Sequence, residues 1–424
     1  NANNVSNPVK GRSAFGSPVL WMKENETKIT VRRSGQEWLL VEFGEPVLDL
    51  SSRVAVERLV KFIEEDNFPE IIEKTPGVRS LQIRFSTRRW DAISLAKALE
   101  PLLLKAVEVK DAKVASRIVR MPLSWRDPCC QQAEERYMSI VNPNAPWCPD
   151  NLEFIRRING LKTTAEVKEI VFNASYLVMG LGDVYLGAPV ATPMDPTHRL
   201  VTTKYNPART WTAQNSVGIG GAYMCVYGME GPGGYQLVGR TMPVWRDKGF
   251  NSNDDLCWLL RHFDQIQFYE VEQVELFELR KQTLSGEFEP EVVETTFDLN
   301  AYLQMIEAKS DEISEFNLRR SQAFGEEMER WKELPEFEPN LAPSSIDVSS
   351  LGDVDGVQVK AEMGASVWKV IASPGEDVKI GETILVVEAM KAEFEVKATY
   401  TGKLQLHVKE GQVVRSGEIL ASII

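Results

Sequence analysis

The sequence predicts a multidomain chain of α+β and all-β parts: a small α+β unit, a compact β-barrel, a helical connector and a small second β-domain. Three features carry this. A strand-helix-strand-helix series precedes residue 120. Residues 180–241 are dense in Gly and Pro and poor in helical period. Near the C-terminus, Gly375 and Gly411, Val378 and Val414, and Gly381 and Gly417 recur at one spacing of 36 residues. A repeat this short points to two matching halves of one small domain.

Residues 1–25 hold Asn, Ser, Gly and Pro without a period and read as a tail or linker entering from something upstream. The α+β unit is assigned to 26–120. In it Lys28 to Val31 reads as a strand, Arg33-Ser34-Gly35 as the turn and Trp38 to Phe43 as the partner strand. Ser51 or Ser52 can cap the next helix, where Val56, Leu59, Val60 and Ile63 keep the i, i+3, i+4, i+7 spacing of one helical face. Val78, Leu81, Ile83 and Phe85 read as a strand. Asp91 caps a helix through about Leu99, and Pro101 marks its end.

A helical insertion and the barrel are assigned to 121–270. Ile118 to Leu123 reads as a strand, and helical patterns cover 131–140 and 151–158. Thr164 precedes a further period at Val167, Ile170, Val171 and Ala174. From 180 onward, short β runs joined by glycine turns predict a barrel, and glycine also lets backbone approach a ligand closely.

In the connector, 271–334, Val274-Glu275-Leu276 alternates like one strand with a possible bulge, while Phe297 to Ile306 and Ile313 to Trp331 read as helices. Pro335, Pro339, Pro343, Ser344 and Ser345 make 335–350 a flexible linker. The last domain is assigned to 351–424. Thr383 to Val387 is apolar and β-branched, and Phe394, Val396 and Ala398 alternate with charged residues. This reads as a hairpin that places Lys391 at an exposed bend, within reach of a modifying enzyme.

The 424 residues carry a formal charge of −13, which argues against a general nucleic-acid role. No apolar run of membrane-spanning length and no secretory leader is read, so neither membrane nor nucleic acid is expected as a partner. Cys129, Cys130, Cys148, Cys225 and Cys257 fit neither a disulfide scaffold nor a metal knuckle, which predicts a reducing, cytoplasmic setting. His198, His262 and His407 are too scattered for a helical metal motif, and no metal site is predicted. Each reads as a structural or surface residue.

Residues 361–417 resemble a biotinyl carrier domain. Ala389-Met390-Lys391 stands where that family has its attachment motif, and Ala361 to Val370 looks like its opening strand. Ala392 departs from the Met that many members place after the lysine. The resemblance implies a flattened biotinyl/lipoyl β-barrel, with biotin in amide linkage on Lys391, Met390 and Glu388 beside it, and a biotin protein ligase as partner. The lipoyl carrier shares the fold, and the Ala-Met pair before the lysine favours biotin.

Residues from about 28 to 270 resemble the allophanate-hydrolase subunit 1 family, also known from the KipI sporulation inhibitor. Gly233-Gly234-Tyr235 and Gly239-Arg240-Thr241 match its glycine-rich segment. With the insertion at 121–160, the whole looks most like the second half of the carboxyltransferase region of urea carboxylase and urea amidolyase. At 180–187 simple members have G-F-x-P-G-F, whereas Gly180-Leu181-Gly182-Asp183-Val184-Tyr185 is the form that urea carboxylase-like members tend to show.

This second resemblance implies a cyclophilin-like barrel beside the α+β unit, and carboxyl transfer from biotin to urea, giving allophanate. A separate biotin carboxylase would load the carrier with ATP, Mg2+ and bicarbonate, since no G-x-x-x-x-G-K-[ST] loop is present. The other transferase half, similar to allophanate-hydrolase subunit 2, is expected as a missing partner, which makes the chain an incomplete enzyme by itself. Guanidine is the rival acceptor, and a KipI-like regulatory or binding protein with a carrier domain is the reading from another class. A planar, amino-rich acceptor needs carboxylates for its N–H groups and arginine for the transferred carboxylate. Asp183, Tyr205, Arg209, Tyr235 and Arg240 are the candidate transferase residues, with Glu230 and Lys204 ranked after them.

Overall fold

The computed structural model describes residues 18–24, 26–182, 187–247, 249–250, 257–332, 356–361, 365–389, 392–414 and 417–424. The chain divides into two units. The first opens with an antiparallel sheet of β1 (Val19–Lys23), β2 (Ile29–Arg33), β3 (Trp38–Phe43), β4 (Ile71–Pro76) and β5 (Ser80–Phe85), in the order β1-β2-β3-β5-β4. Leu39, Val41 and Phe43 alternate with less buried residues, as do Leu81, Ile83 and Phe85. That alternation turns one face toward α1 (Leu50–Glu65) and α2 (Ala92–Ala106), whose Val56, Leu59, Leu95 and Leu99 complete the core.

Three expectations change here. Val19–Lys23, placed within the tail, is the edge strand β1. The cap of α1 is Asp49, not Ser51 or Ser52: its carboxylate accepts both serine N–H groups, at 3.1 and 2.9 Å. Pro101 does not end α2, which runs on to Ala106. Pro101 and Lys97, whose carbonyl loses its partner, both face solvent, so water can satisfy that carbonyl while Leu99, Leu102 and Leu103 stay packed.

The barrel follows. Its elements are β6 (Lys113–Trp125), α3 (Pro128–Ile140), α4 (Asn151–Ile158), α5 (Thr164–Asn173), β7 (Tyr176–Leu181), β8 (Pro189–Pro193), β9 (Arg209–Thr212), β10 (Ser216–Gly220), β11 (Tyr223–Val226), β12 (Gly231–Gly233), β13 (Gln236–Thr241) and β14 (Gln265–Glu270). The order β13-β10-β11-β8-β7-β14-β6 closes by pairing of β6 with β13. Val119, Leu123, Val178, Val217, Val226, Val238 and Ile266 belong to the core this closure surrounds. β9 and β12 form a separate two-stranded ribbon.

Then come α6 (Gln273–Ser285), β15 (Glu291–Asp298), α7 (Leu299–Ala308) and α8 (Ser310–Lys332). The strand expected at Val274–Leu276 is instead the first turn of α6. Val274 is 76% exposed and Leu276 is 1% exposed, and Leu276 with Thr283 forms the buried helical edge at i, i+7. The strand of this stretch is β15, which pairs with β6. The α+β layer joins the barrel through Leu50 and Val54 against Leu177, Met179 and Phe263. The fully buried Arg53 donates from Nε to the Met179 carbonyl at 2.9 Å.

The second unit holds β16 (Val357–Lys360), β17 (Ala365–Val370), β18 (Asp377–Val378), β19 (Thr383–Ala389), β20 (Ala392–Lys397), β21 (Gly402–Leu406), β22 (Val413–Val414) and β23 (Ile419–Ile423). They form two four-stranded sheets, β16-β23-β21-β18 and β20-β19-β17-β22. The repeat read in the sequence is a repeat of structure. Gly375 and Gly411 have φ of 86° and 81°, and Gly381 and Gly417 have 83° and 86°, backbone that favours glycine. Val378 and Val414 are both buried, in the matching short strands β18 and β22. Each sheet takes strands from both halves. The expected linker, 335–350, lies outside the described residues, and so do residues 362–364 of the expected opening strand.

Candidate functional site

Asn151 organises the outer face of the barrel. It starts α4 after the cap Asp150, so its side chain is free of capping duty. Its backbone N–H donates to Glu134 Oε1 of α3 at 3.1 Å. Its Nδ2 donates to Tyr205 Oη at 2.6 Å and to the Trp147 carbonyl at 3.3 Å. Its Oδ1 accepts the Leu237 N–H of β13 at 2.8 Å. One buried residue thus joins two helices, the loops that carry Trp147 and Tyr205, and a barrel strand.

Three expected residues meet beside it. The Tyr205 N–H donates to the Gly234 carbonyl at 2.6 Å, and its ring stands edge-on to Tyr137 with centroids 4.7 Å apart. Arg209 lies with its guanidinium 4.3 Å from the Tyr205 ring centre. Its Nε, Nη1 and Nη2 donate to Thr212 Oγ1, the Tyr235 carbonyl and Tyr227 Oη at 3.3, 2.6 and 3.5 Å. Arg209 is 1% exposed, so within this cluster it positions Tyr235 and its ribbon. The Tyr235 ring rests on β10, where a Cβ on Gly220 would come within 2.4 Å of its Cδ1. Lys204 Nζ lies 5.0 Å from the centre of that ring. Only a glycine lets the ring approach the strand so closely.

Arg240 reaches the same outer face by a shift in register. Leu237 packs outward with Cys130 and Ala133, and Val238 packs into the barrel core. Simple alternation would turn Arg240 inward. The irregularity between the pairs Val217↔Gly239 and Gly218↔Leu237 adds one residue on β13 and returns Arg240 outward, opposite Ser216 and Ser124. Its Nε donates to the Gln214 carbonyl at 2.9 Å. Cys129 Sγ lies 3.8 Å from Ser216 Oγ.

The electrostatics follow burial. Glu134 is pushed up to about 7, by burial first, with the Asp150 carboxylate adding to it and the Asn151 N–H, Arg126 and Arg209 opposing. Burial pushes the Cys148 thiol and the Tyr137 hydroxyl up to about 12, and raises Tyr205 as well. Cys130 is raised, first by its hydrogen bond with Cys129 and then by burial. Near neutral pH this layer therefore holds neutral tyrosines and thiols around one carboxyl that titrates.

Asp183 lies outside the described residues, as do Met390 and Lys391. Glu230 is exposed. On the carrier, β19 and β20 pair from Thr383↔Lys397 to Ala389↔Ala392, and Met390-Lys391 separates that last pair in sequence; Glu388 pairs with Glu393. Glu134, Asn151 and Arg280 escaped the sequence reading. Asn151 following the cap Asp150 was the available signal for one of them.

Residues 29–253 match the family described as carboxyltransferase domain, subdomain C and D. The chain belongs to this family. Residues 356–423 match a second family, described as biotin-requiring enzyme. Urea amidolyase of Saccharomyces cerevisiae is 34% identical over 419 residues, 97% of this chain and 23% of that protein. Urea amidolyase of Lachancea kluyveri is 36% identical over 404 residues, 93% of this chain and 22% of that protein. The crystal structure of Kluyveromyces lactis urea carboxylase superposes with a TM-score of 0.74 at 34% identity, over 97% of this chain and 36% of that one. The chain thus spans about a quarter of the length of the amidolyases it matches. Its carboxyltransferase subdomains and biotin/lipoyl attachment domain make it homologous to urea carboxylase and urea amidolyase. Among the described residues, no helix is long and apolar enough to cross a membrane.

Proposed function

We propose that the chain takes part in biotin-dependent carboxyl transfer to urea, forming allophanate, with biotin carried on Lys391. The observation that carries this reading is the joining, in one chain, of carboxyltransferase subdomains at 29–253 and a biotin-type domain at 356–423 whose hairpin brackets Ala389-Met390-Lys391-Ala392. A biotin on Lys391 supplies a ureido nitrogen that can hold a carboxyl group. The chain's own residues bind and orient. Bound there, biotin would give up that carboxyl group to a urea nitrogen and take the proton that urea releases, so the exchange would balance.

In this reading Tyr235 and Arg240 present one outer face of the barrel to substrate, while Tyr205 and Arg209 hold Tyr235 in place. Asp183 is proposed as an acceptor of urea N–H groups. Met390 and Glu388 are proposed as recognition residues around Lys391. A biotin carboxylase using ATP, Mg2+ and bicarbonate, a transferase half similar to allophanate-hydrolase subunit 2 and a biotin protein ligase are the proposed partners, and the cytoplasm the proposed setting.

Coexpression with a biotin ligase followed by intact-mass measurement tests the attachment. One biotin increment is expected on the wild-type chain and none on Lys391→Arg. An unmodified wild-type chain, or an increment that survives the substitution, would overturn the assignment of Lys391.

A further inference from the structure

Two guanidinium groups share the outer face of the β10–β13 corner. Arg240 holds the Gln214 carbonyl through Nε at 2.9 Å. Arg280, from α6, donates through Nη1 to Asn215 Oδ1 at 2.6 Å and to the Thr241 carbonyl at 2.9 Å. The two side chains thus grip consecutive residues, Gln214 and Asn215, and Arg280 also holds Thr241, the residue after Arg240. Among the described residues, the remaining nitrogens of both have no acceptor.

Elsewhere in this unit several arginines meet carboxylates, while Arg199 and Arg320 are held by carbonyl, hydroxyl and amide oxygens on two of their nitrogens each. Arg117 forms a two-pronged pair with Asp264 at 2.9 and 2.5 Å. Arg157 meets Glu327 at 2.9 Å, Arg53 meets Glu57 at 3.2 Å, and Arg246 is paired with Glu289. Arg209 has no carboxylate, but three of its nitrogens have other protein acceptors. Arg240 and Arg280 each engage protein acceptors through a single nitrogen, and neither has a carboxylate partner among the described residues. Arg280 is pushed down to about 10, by burial first and then by the like charge of Arg240, with Cys129 and Asp127 opposing. Asp127 is 2% exposed, and its carboxylate accepts the Cys129 N–H at the start of α3 at 3.1 Å. Neither guanidinium is ion-paired among the described residues, so a small anion set between them would offset the repulsion of the two like charges.

We propose that Arg240 and Arg280 form a binding site for one small planar carboxylate, the N-carboxylate of the transferred group in the product. Unsatisfied guanidinium edges favour a flat two-oxygen anion, which arginine can bind with two parallel hydrogen bonds. The half-buried Cys129 Sγ, 3.8 Å from the Ser216 Oγ that lies opposite Arg240, can contact the rest of such a ligand. The identity of the anion as a carbamate rests on the proposed urea reaction, whereas the carboxylate site itself rests on the two arginines.

Malonamate is a stable mimic of allophanate in which CH2 replaces the middle NH, and malonamide is its uncharged counterpart. Binding of each to the full chain is measured by calorimetry for wild type, Arg240→Gln, Arg280→Gln and Arg280→Lys. Saturable malonamate binding is expected in wild type, weakened at least tenfold in both Gln variants and only partly restored in the Lys variant. Malonamide binding should be weak and unchanged. Arg240→Gln removes only one contact to a carbonyl, so it reports even where Arg280→Gln disturbs α6. Equal malonamate affinity in wild type and Arg240→Gln, or no malonamate binding by the wild-type chain, would overturn the site. Lost binding in the variants alongside failure of the reassembled enzyme to use urea would keep the carboxylate site and reject the urea reading.

Discussion

Glu134 accepts the backbone N–H of Asn151 at 3.1 Å from a position that is only 7% exposed. Burial raises this carboxyl from its ordinary value of 4.5 to about 7. The folded state therefore holds a proton that the unfolded chain releases between those two values. Stability is greatest below pH 4.5 as far as this group is concerned, and falls as pH rises to about 7. The whole effect is about 3 kcal/mol by linkage. Gln at position 134 keeps an acceptor for Asn151 and cannot ionise. Urea unfolding at pH 5 and pH 7.5 should show the wild type losing stability relative to Glu134→Gln. A constant difference between the two proteins would show that Glu134 has an ordinary pKa.

The contact of Tyr235 with β10 makes Gly220→Ala a sharp perturbation. Its new Cβ would lie 2.4, 2.6 and 2.8 Å from three ring atoms of Tyr235. One of the three is Cγ, at the base of the ring, so turning the ring about its own axis does not relieve the clash. Overpacking of this kind costs about 1–3 kcal/mol. At the neighbouring Gly221 an added methyl would meet nothing within 4 Å, but φ is 61°, so Gly221→Ala costs about 1 kcal/mol through backbone strain alone. Thermal unfolding of the two variants should rank Gly220→Ala as the less stable. The reverse order would place the Tyr235 ring elsewhere.

Pro101 is exposed within α2, where it leaves the Lys97 carbonyl without its helical donor. Ala at this position restores the donor and raises helix propensity. Chemical denaturation of Pro101→Ala should show a gain of about 1–3 kcal/mol. A loss would mean that the proline ring contributes packing.

These cases separate what local sequence can reveal from what it cannot. The β2–β3 hairpin and the buried stripe of α1 follow from alternation and helical spacing over a few residues. The carrier repeat was readable because Gly375, Gly381, Gly411 and Gly417 are all demanded by positive φ. The failures are long-range. Pro101 ends a helix locally, yet packing of Leu102 and Leu103 carries α2 past it. Val274 and Leu276 mimic a strand until the surface covered by α6 is known. Candidate site residues followed the same division. Tyr205, Arg209 and Tyr235 sit in the glycine-rich segment and drew notice by type. Arg280 lies 65 residues from Asn215, whose side chain it binds, and only the packing of α6 reveals it.

Delivery of a carboxyl group from the chain's own carrier domain to urea is the proposed reaction. The most direct test charges the biotinylated chain with labelled bicarbonate, using a biotin carboxylase with ATP and Mg2+, in the presence of the other transferase half. Urea and guanidine are then offered separately, and labelled product is measured as kcat/KM. Such delivery predicts rapid transfer to urea, lower specificity for guanidine and no transfer from Lys391→Arg. Label that stays on the chain in the presence of urea, or equal or greater specificity for guanidine, would contradict it.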